Sequence, residues 1–442
     1  MRKPSLLVVF LTVFIDLVGF GIVLPLLPIY SDQFGASGLF VGVIMASFSA
    51  MQFLFAPAWG RLSDRIGRRP VLLVSTAGAA VSYGLFGLGS GLTQAKAVLT
   101  VILISRVLAG ICGANVTVAQ ACIADIAPPE ERSKKMGLIG MAFGLGFIFG
   151  PALGGVSLKL FGMAGPGWVA AILCAGNFFL ALSILPETRQ PGSAPSGTRP
   201  RLRQWAHVLG RPTIRLLIFV FFLATFCFTC FETTLGLLVA KNFKLVSAEA
   251  RLSSLDLMDR KRFGDAATAA TVLFAYCGFV GAFVQGGPLG RLVRRLGEPR
   301  LIALSLFLVA LSLAALPFIH GDTKLSWGVL FQANGLPWWE LFAALALLAI
   351  GSGLTRPPLF GMLSILTPAH EQGETIGVAQ SAGSLARIFG PMFAGGLFHV
   401  HPTWPYLACA ALSLVTGVLA WARLVRSESA LLAAKAQSGA TV

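Results

Sequence analysis

Five charged residues lie within apolar stretches that are long enough to cross a bilayer: Asp16, Arg106, Glu232, Arg356 and Arg387. A charge at the bilayer centre costs about 2.5–3.5 kcal/mol on insertion scales, so each should face a polar cavity or a partner. The neighbours of Asp16 are apolar, which favours its neutral, protonated form. We therefore predict that Asp16 and Glu232 carry protons. The alternative is a structural ion pair with a buried arginine.

The three arginines suggest different tasks. Arg106 could tune the proton affinity of an acid or bind an anionic group of a substrate. Arg356 is followed by two prolines, so we expect the helix to break there and free backbone carbonyl groups. For Arg387, a structural pair or a place near a vestibule is as good an interpretation as a substrate contact.

Polar and aromatic residues on the same stretches are candidates for the lining of a central cavity. The predicted lining consists of Gln52, Asn115, Gln120, Phe228, Arg356, Gln380 and Arg387, with Phe48, Phe53, Phe231 and Phe279 as further aromatic candidates. Polar residues in a span also bind helices to one another, which is the alternative for Asn115 and Gln120.

The elements that must position these residues are membrane spans. Of the 442 residues, 56% are hydrophobic and only 12% are charged, too few charges for a soluble surface. A helix needs about 20 apolar residues to cross a bilayer. We predict an all-α membrane protein with twelve spans, at residues 5–30, 38–60, 70–90, 97–126, 134–161, 167–186, 213–241, 267–290, 299–318, 338–366, 374–399 and 403–424.

Two polar segments interrupt the spans. Residues 189–212 are rich in Pro, Ser, Gly and Arg and predict a cytoplasmic linker between an N-terminal half, 1–188, and a C-terminal half, 213–442. Residues 242–266 predict a long extracytoplasmic loop with a short amphipathic helix. The net charge of +16 lies in short clusters between spans, which indicates cytoplasmic termini rather than nucleic-acid binding.

The two halves repeat one another. GRLSDRIG at 60–67 returns as GRLVRRLG at 290–297, and IFGPALGG at 148–155 returns as IFGPMFAGG at 388–396. Such repeats predict two pseudo-symmetric six-helix halves with a site between them near the midplane. The charges do not repeat, since Asp64 has Arg294 as its counterpart and Arg106 has Ala346.

These motifs resemble a known family. GRLSDRIGRRPVLL at 60–73 resembles the signature loop of the major facilitator superfamily. GLGFIFGPALGG at 144–155 resembles the fifth-helix motif of its drug/proton antiporters, and FIDLVGFGIVLPLLPIY at 14–30 and ISRVLAGICGA at 104–114 resemble the tetracycline-efflux branch. That branch carries an acid before a tyrosine in the third span, where this chain has Ser82 before Tyr83. The departure argues against a tetracycline–metal chelate as the substrate.

The signature loop predicts a conformational latch. Its predicted members are Gly60, Asp64, Arg65, Gly67, Arg68 and Asp125, where Asp125 ends the fourth span on the same side and supplies the partner. The alternative is that the basic residues only determine topology.

The fifth-helix motif predicts close helix packing. Its members are Gly144, Gly146, Gly150, Pro151, Gly154 and Gly155, which let two helices approach and bend the span. The resemblance implies that this helix pair helps to set the direction of an antiporter. Packing alone is the alternative.

No other chemistry is indicated. The seven cysteines lie in apolar runs and the five histidines in loops or at span ends, without metal-ligand spacing or a nucleophile–base pair. We predict that the protein is not an enzyme, and that it needs no metal or cofactor besides a proton gradient. The expected partners of the monomer are a small amphipathic substrate, protons and the lipid bilayer, without nucleic acid.

Three functions are compatible with these features. The leading interpretation is a secondary active transporter of the bacterial inner membrane that exports amphipathic drug-like molecules by proton-coupled alternating access. A lipid or anionic metabolite carrier of the same fold, with or without proton coupling, is the second. A membrane receptor that does not transport is the third, and it would be favoured by large extramembrane domains, which the sequence does not indicate.

Overall fold

A computed structural model describes residues 6–126, 132–188, 201–245, 257–367 and 371–425. Within these ranges the side chains are described except at 57, 64, 124, 132–137, 140, 201–204, 257–264, 327, 333, 364 and 372–374. The latch prediction for the carboxylate of Asp64 therefore falls outside the described residues, as does the linker segment 189–200.

The N-terminal bundle contains eight helices. They are α1 (Leu6–Val23), α2 (Leu27–Gln33), α3 (Gly38–Ile66), α4 (Arg68–Ser90), α5 (Ala95–Cys112), α6 (Asn115–Ile126), α7 (Arg132–Phe161) and α8 (Gly165–Ile184). The pairs α1–α2 and α5–α6 each form one interrupted span. Two buried apolar clusters hold the bundle together, one centred on Ile22, Tyr30 and Phe86 and the other on Val71, Val118 and Ala142.

A short helix, α9 (Arg201–Leu209), precedes the C-terminal bundle. That bundle contains α10 (Pro212–Asn242), α11 (Leu257–Gly286), α12 (Leu289–Leu296), α13 (Glu298–Ala315), α14 (Trp327–Leu330), α15 (Leu336–Ile365), α16 (Gln372–Val400) and α17 (Trp404–Ala420), with short 3-10 turns at Leu316–Phe318 and Ala333–Gly335 and a π turn at Trp421–Val425. The described part of the predicted loop 242–266 continues α10 and begins α11, so no separate amphipathic helix is found there.

Eleven of the described helical segments are long and apolar enough to cross a membrane, and they coincide with eleven of the predicted spans. The remaining predicted span, 374–399, is α16, which is 29 residues long but carries Arg387 and several other polar residues. It packs against α3 and α10 like the other long helices. The prediction of an all-α membrane protein of about twelve spans is confirmed.

The two bundles share two ends, which we call the basic end and the far end. The basic end carries the turns at Gly67 and Gly297 and helix α9, and the far end carries the turns at Gly35, Gly162 and 401–403. Gly67 and Gly297 both have positive φ, 103° and 78°, a conformation that a side chain disfavours. The repeated GRL segments therefore end in the same backbone turn.

The two bundles meet through α3 with α16 and through α7 with α11. At the far end Gly38 faces the carbonyl group of Gly395, and a Cβ atom on Gly42 would lie 2.5 Å from the carbonyl oxygen of Pro391. Toward the basic end α3 exposes its side chains, for example 59% of Leu54. The close backbone contacts of α3 with the other half thus lie at the far end.

The helix breaks lie elsewhere than expected. Helix α15 runs without interruption through Pro357 and Pro358, so the predicted break after Arg356 is wrong. The fourth span is interrupted instead, between α5 and α6 at Gly113 and Ala114. Proline removes one N–H donor and its ring crowds the carbonyl group one turn earlier, but a membrane span tolerates this when neighbouring groups satisfy that carbonyl.

Candidate transport site

The acid of the N-terminal bundle, Asp16, lies on α1 beside the break in the fourth span. Its carboxylate is hydrogen bonded to the side chain of Asn115, the first residue of α6. Asn115 is only 3% exposed, and its Oδ1 atom has no hydrogen-bond partner among the described residues. Tyr83 interacts electrostatically with both Asp16 and Arg106. The tyrosine after Ser82 is thus part of this polar cluster, whereas Ser82 itself donates to the carbonyl oxygen of Gly78.

Three side chains support the break that positions this cluster. Gln52 donates from Nε2 to the carbonyl oxygen of Gly113 at 3.2 Å, and Trp59 donates to that of Ile111 at 2.5 Å. The hydroxyl group of Ser75 donates to the carbonyl oxygen of Cys112 and accepts a hydrogen bond from the N–H of Ala114. These bonds satisfy backbone groups that an interrupted helix leaves free. Gln52 therefore contributes to the geometry of the fourth span.

Arg106 is the most deeply buried charge of the interior, with 2% of its surface exposed. Its guanidinium carbon lies 4.6 Å from the ring centre of Phe48 and 5.6 Å from that of Phe20, within cation–π range. The Nε and Nη1 atoms have no hydrogen-bond partner in the described part of the chain. Two donors of a buried cation thus remain for a ligand.

The C-terminal bundle supplies the second charged cluster. Glu232 on α10, 9% exposed, interacts electrostatically with Arg356 of α15 and Arg387 of α16, and with Arg106 of the other bundle. Arg387 donates to Ser384 at 3.2 Å. Arg356 is exposed and lies 5.9 Å from the ring centre of Phe221 and 6.0 Å from that of Phe228. Arg356 thus reaches the surface of the C-terminal bundle while it interacts with Glu232.

The rest of the predicted lining divides into three groups. Gln380 is exposed, and Gln120 and Phe53 are half-buried. Phe279 is 62% exposed on α11. Phe231 is 1% exposed and belongs to the apolar core of the C-terminal bundle, so its assignment to the cavity wall is corrected. Phe231 directly precedes Glu232, and successive side chains of a helix point about 100° apart, so the two face different surroundings.

Arg68 of the signature loop makes polar contacts within the N-terminal bundle. Arg68 contacts Asp125 at 3.0 Å and donates to Ser63. Glu187, which sequence analysis missed, accepts the backbone N–H groups of Arg68 and Arg69 at the start of α4. A carboxylate at this position stabilises the helix N-terminus. Arg65 is exposed and makes no ion pair with a described side chain. The assignment of these residues to a latch stays a prediction.

The glycines of the fifth-helix motif lie against α1. A Cβ atom on Gly150 would lie 2.6 Å from the backbone of Gly21, and one on Gly154 would lie 2.7 Å from the carbonyl oxygen of Ile22. Gly146 packs on Leu17 of the same helix. Gly155 faces Thr271 of α11, so the motif also contributes to the contact between the bundles. Pro151 is buried within the continuous helix α7, and Gly144 has no atom within 4 Å of its Cβ position.

A second polar group on the basic end was not predicted. Glu371, at the start of α16, accepts hydrogen bonds from Arg211 and from Nε2 of His207, the latter at 3.0 Å. These two bonds, that to Arg211 first, hold the pKa of Glu371 below its ordinary value. Among the described residues, no group of three or more His, Cys, Asp or Glu side chains could hold a metal ion.

Comparison with known proteins agrees with this architecture. A family model described as Major Facilitator Superfamily matches residues 9–336 and 325–441. Tetracycline resistance protein, class E, from Escherichia coli is 31% identical over 396 residues, which cover 89% of this chain and 87% of that protein. The crystal structure of a human organic anion transporter is 25% identical with a TM-score of 0.64, covering 94% of this chain and 98% of that one.

The nucleoside transporter NupG is similar in fold alone, with a TM-score of 0.71 at 14% identity, covering 95% of this chain and 99% of that one.

Proposed function

Because this chain belongs to the Major Facilitator Superfamily, a family of membrane transporters, we propose that it is a secondary active transporter that moves amphipathic small molecules at the expense of a proton gradient. The single observation that carries the proposal is a carboxylate inside a membrane-spanning helix of each half, the half-buried Asp16 on α1 and the buried Glu232 on α10. An acid within a membrane span is costly unless it serves a proton or a ligand. The similarity to tetracycline resistance proteins supports a transported small molecule.

The mechanism is alternating access about the central cleft. The close contacts at the far end fit one of its two states, the one in which the halves are closed there. In the other state, α3 with α16 and α7 with α11 would separate at the far end while the basic ends meet. Binding and release of a proton on Asp16 or Glu232 changes the charge of the interior, and with it the affinity for substrate. We assign the basic end to the cytoplasm, because Lys and Arg are retained there.

The test is transport by the purified protein in liposomes with an imposed pH gradient. A screen of amphipathic fluorescent dyes, with and without the gradient, should reveal substrates whose accumulation requires it. Asp16→Asn should abolish gradient-driven accumulation, because the amide cannot titrate, while passive exchange and expression persist. Glu232→Gln tests the second acid in the same assay.

The control is Glu340→Gln, which changes an exposed acid near the far-end start of α15. It should transport like the unmodified chain. Gradient-driven accumulation that survives both the Asp16 and the Glu232 substitutions would refute proton coupling through these acids.

A further inference from the structure

The charges of the interior do not balance. Three arginines, Arg106, Arg356 and Arg387, share the single acid Glu232. The other acid, Asp16, is hydrogen bonded to Asn115. Burying an unbalanced cation is costly, and the cost falls when an anion is bound beside it.

Of the three arginines, Arg106 has the least complete set of hydrogen-bond partners among the described residues. Its Nε and Nη1 donors have no protein acceptor among the described residues, although the side chain is 2% exposed. Its described electrostatic partners are Tyr83 in its own bundle and Glu232 in the other. The rings of Phe20 and Phe48 lie beside the guanidinium and supply apolar surface.

The C-terminal bundle holds an arginine in a similar setting. Arg356, on the helix that repeats the fourth span, lies between Phe221 and Phe228. Each half therefore presents a guanidinium flanked by two phenylalanines. The two arginines do not occupy equivalent positions in the repeat, so this likeness is not a by-product of duplicated sequence.

We propose that the transported substrate is an amphipathic organic anion whose acidic group binds Arg106 and whose apolar body lies against the flanking phenylalanines. The proposal rests on the proposed transport function and adds the charge class of the substrate. A carboxylate or sulfonate accepts the free donors of a guanidinium with charge-assisted hydrogen bonds. Apolar surface on the same molecule then gains from leaving water.

An anionic substrate also determines whether substrate and proton move in the same or in opposite directions. The charged groups that act on Glu232 are Arg356 on α15, Arg387 on α16 and Arg106 on α5. Tyr406 of α17 faces α10 through Thr234. A proton on Glu232 removes the acid that competes for these arginines, so it strengthens anion binding. Anion and proton then move in the same direction, in contrast to the exchange expected from the resemblance.

The test compares two dyes with a common xanthene ring system and opposite net charge, sulforhodamine B and rhodamine 6G. Binding to the protein in nanodiscs is measured by fluorescence anisotropy without a gradient, so it does not depend on transport. Sulforhodamine B should bind more tightly at pH 6 than at pH 8, and rhodamine 6G should not compete with it. Tighter binding of the cationic dye would overturn the proposal.

Variants locate the site. Arg106→Gln should weaken sulforhodamine B binding about tenfold to a hundredfold, the usual effect of removing a hydrogen-bonded charge. Arg106→Lys should retain part of the affinity, and Arg61→Gln, which changes an exposed arginine on α3, should retain all of it. Unchanged binding in a folded Arg106→Gln variant would overturn the assignment to Arg106, whereas the comparison of dyes on the unmodified chain needs no variant.

The outcomes separate this inference from the proposed function. Anion binding that depends on Arg106, without gradient-driven flux, would support the site and refute secondary active transport. Gradient-driven transport of neutral or cationic dyes only would support the function and refute the anion site.

Discussion

Two groups of charged side chains in this protein differ in their partners. At the basic end Arg68 and Arg211 are each paired with a carboxylate, Asp125 and Glu371. In the interior, Arg106 keeps two donors without a protein acceptor in the described part of the chain. A charged group at the surface can replace its partner by water, but a buried one cannot. A ligand that pairs with a buried charge therefore gains more binding free energy than one that pairs with a surface charge.

Glu371 gives a pH prediction at this scale. Arg211 and His207 hold its pKa below the ordinary value of about 4.5, so the charged form stabilises the folded state. This contribution is present above the ordinary value and is lost as the pH falls through the lowered one. Thermal unfolding in detergent should therefore show Glu371→Gln less stable than the unmodified chain at pH 7, with the difference shrinking toward pH 4.

The matched control is Glu340→Gln, whose carboxylate is exposed near the start of α15. It should show a smaller difference that does not follow the same course. A Glu371→Gln difference that is constant from pH 7 to pH 4 would contradict a stabilising role of the charged form.

At the scale of helices, close approach depends on glycine at particular positions. Gly150 and Gly154 of the fifth-helix motif lie on α7 and contact α1. Gly144 of the same motif has no neighbouring atom within 4 Å of its Cβ position. Spacing alone predicted the packing function of the motif but could not tell which glycines face the partner. That distinction depends on the rotation of α7 about its axis, which the packing of both bundles sets.

Substitution of these glycines tests the contact. Gly150→Ala would bring a methyl group to 2.6 Å from the backbone of Gly21, which cannot yield as a side chain can. We expect a loss of about 1–3 kcal/mol, typical of overpacking, seen as a lower melting temperature and yield. Gly144→Ala is the control and should behave like the unmodified chain. Equal effects of the two substitutions would contradict the described packing.

In the fourth and tenth spans, too, the local sequence does not decide where the helix breaks. Two prolines after Arg356 suggested a break, yet α15 is continuous, whereas the fourth span breaks at Gly113 without a proline. Three side chains from neighbouring helices, including Gln52 and Trp59, satisfy the freed carbonyl groups. A break is stable when such donors are available, and that is a property of tertiary packing rather than of the local sequence.

At the scale of the whole molecule, the two bundles touch through the far-end parts of α3 and α16 and through α7 with α11. The backbone of Gly42 meets that of Pro391 and Met392 directly. Such contacts leave no room for a side chain, so far-end closure depends on them. The opposite state must break them, which makes the same residues a place to shift the equilibrium between states.

Gly42→Leu should therefore disfavour the far-end-closed state. Its Cβ atom would lie 2.5 Å from the carbonyl oxygen of Pro391, so the halves must part to accept it. Spin labels are placed at the exposed residues Phe161 and His401, one in each half, in a chain whose seven cysteines are replaced by serine. The distance between the labels, measured by double electron–electron resonance, should increase. Gly396→Leu, at a glycine with no neighbour within 4 Å, is the control. Identical distance distributions would refute the role of Gly42 in closure.

The amino-acid sequence by itself determined the class of protein, the positions of its spans and the five charges of the interior. These follow from hydropathy, length and the cost of charge in lipid, all of which act locally along the chain. Tertiary structure alone decided which charges share a site. Glu232 is brought to Arg106 from another bundle, Tyr83 joins Asp16, and Phe231 turns into the core. Those relations depend on helix rotation and on the crossing of the two halves, and hydropathy carries no information about either.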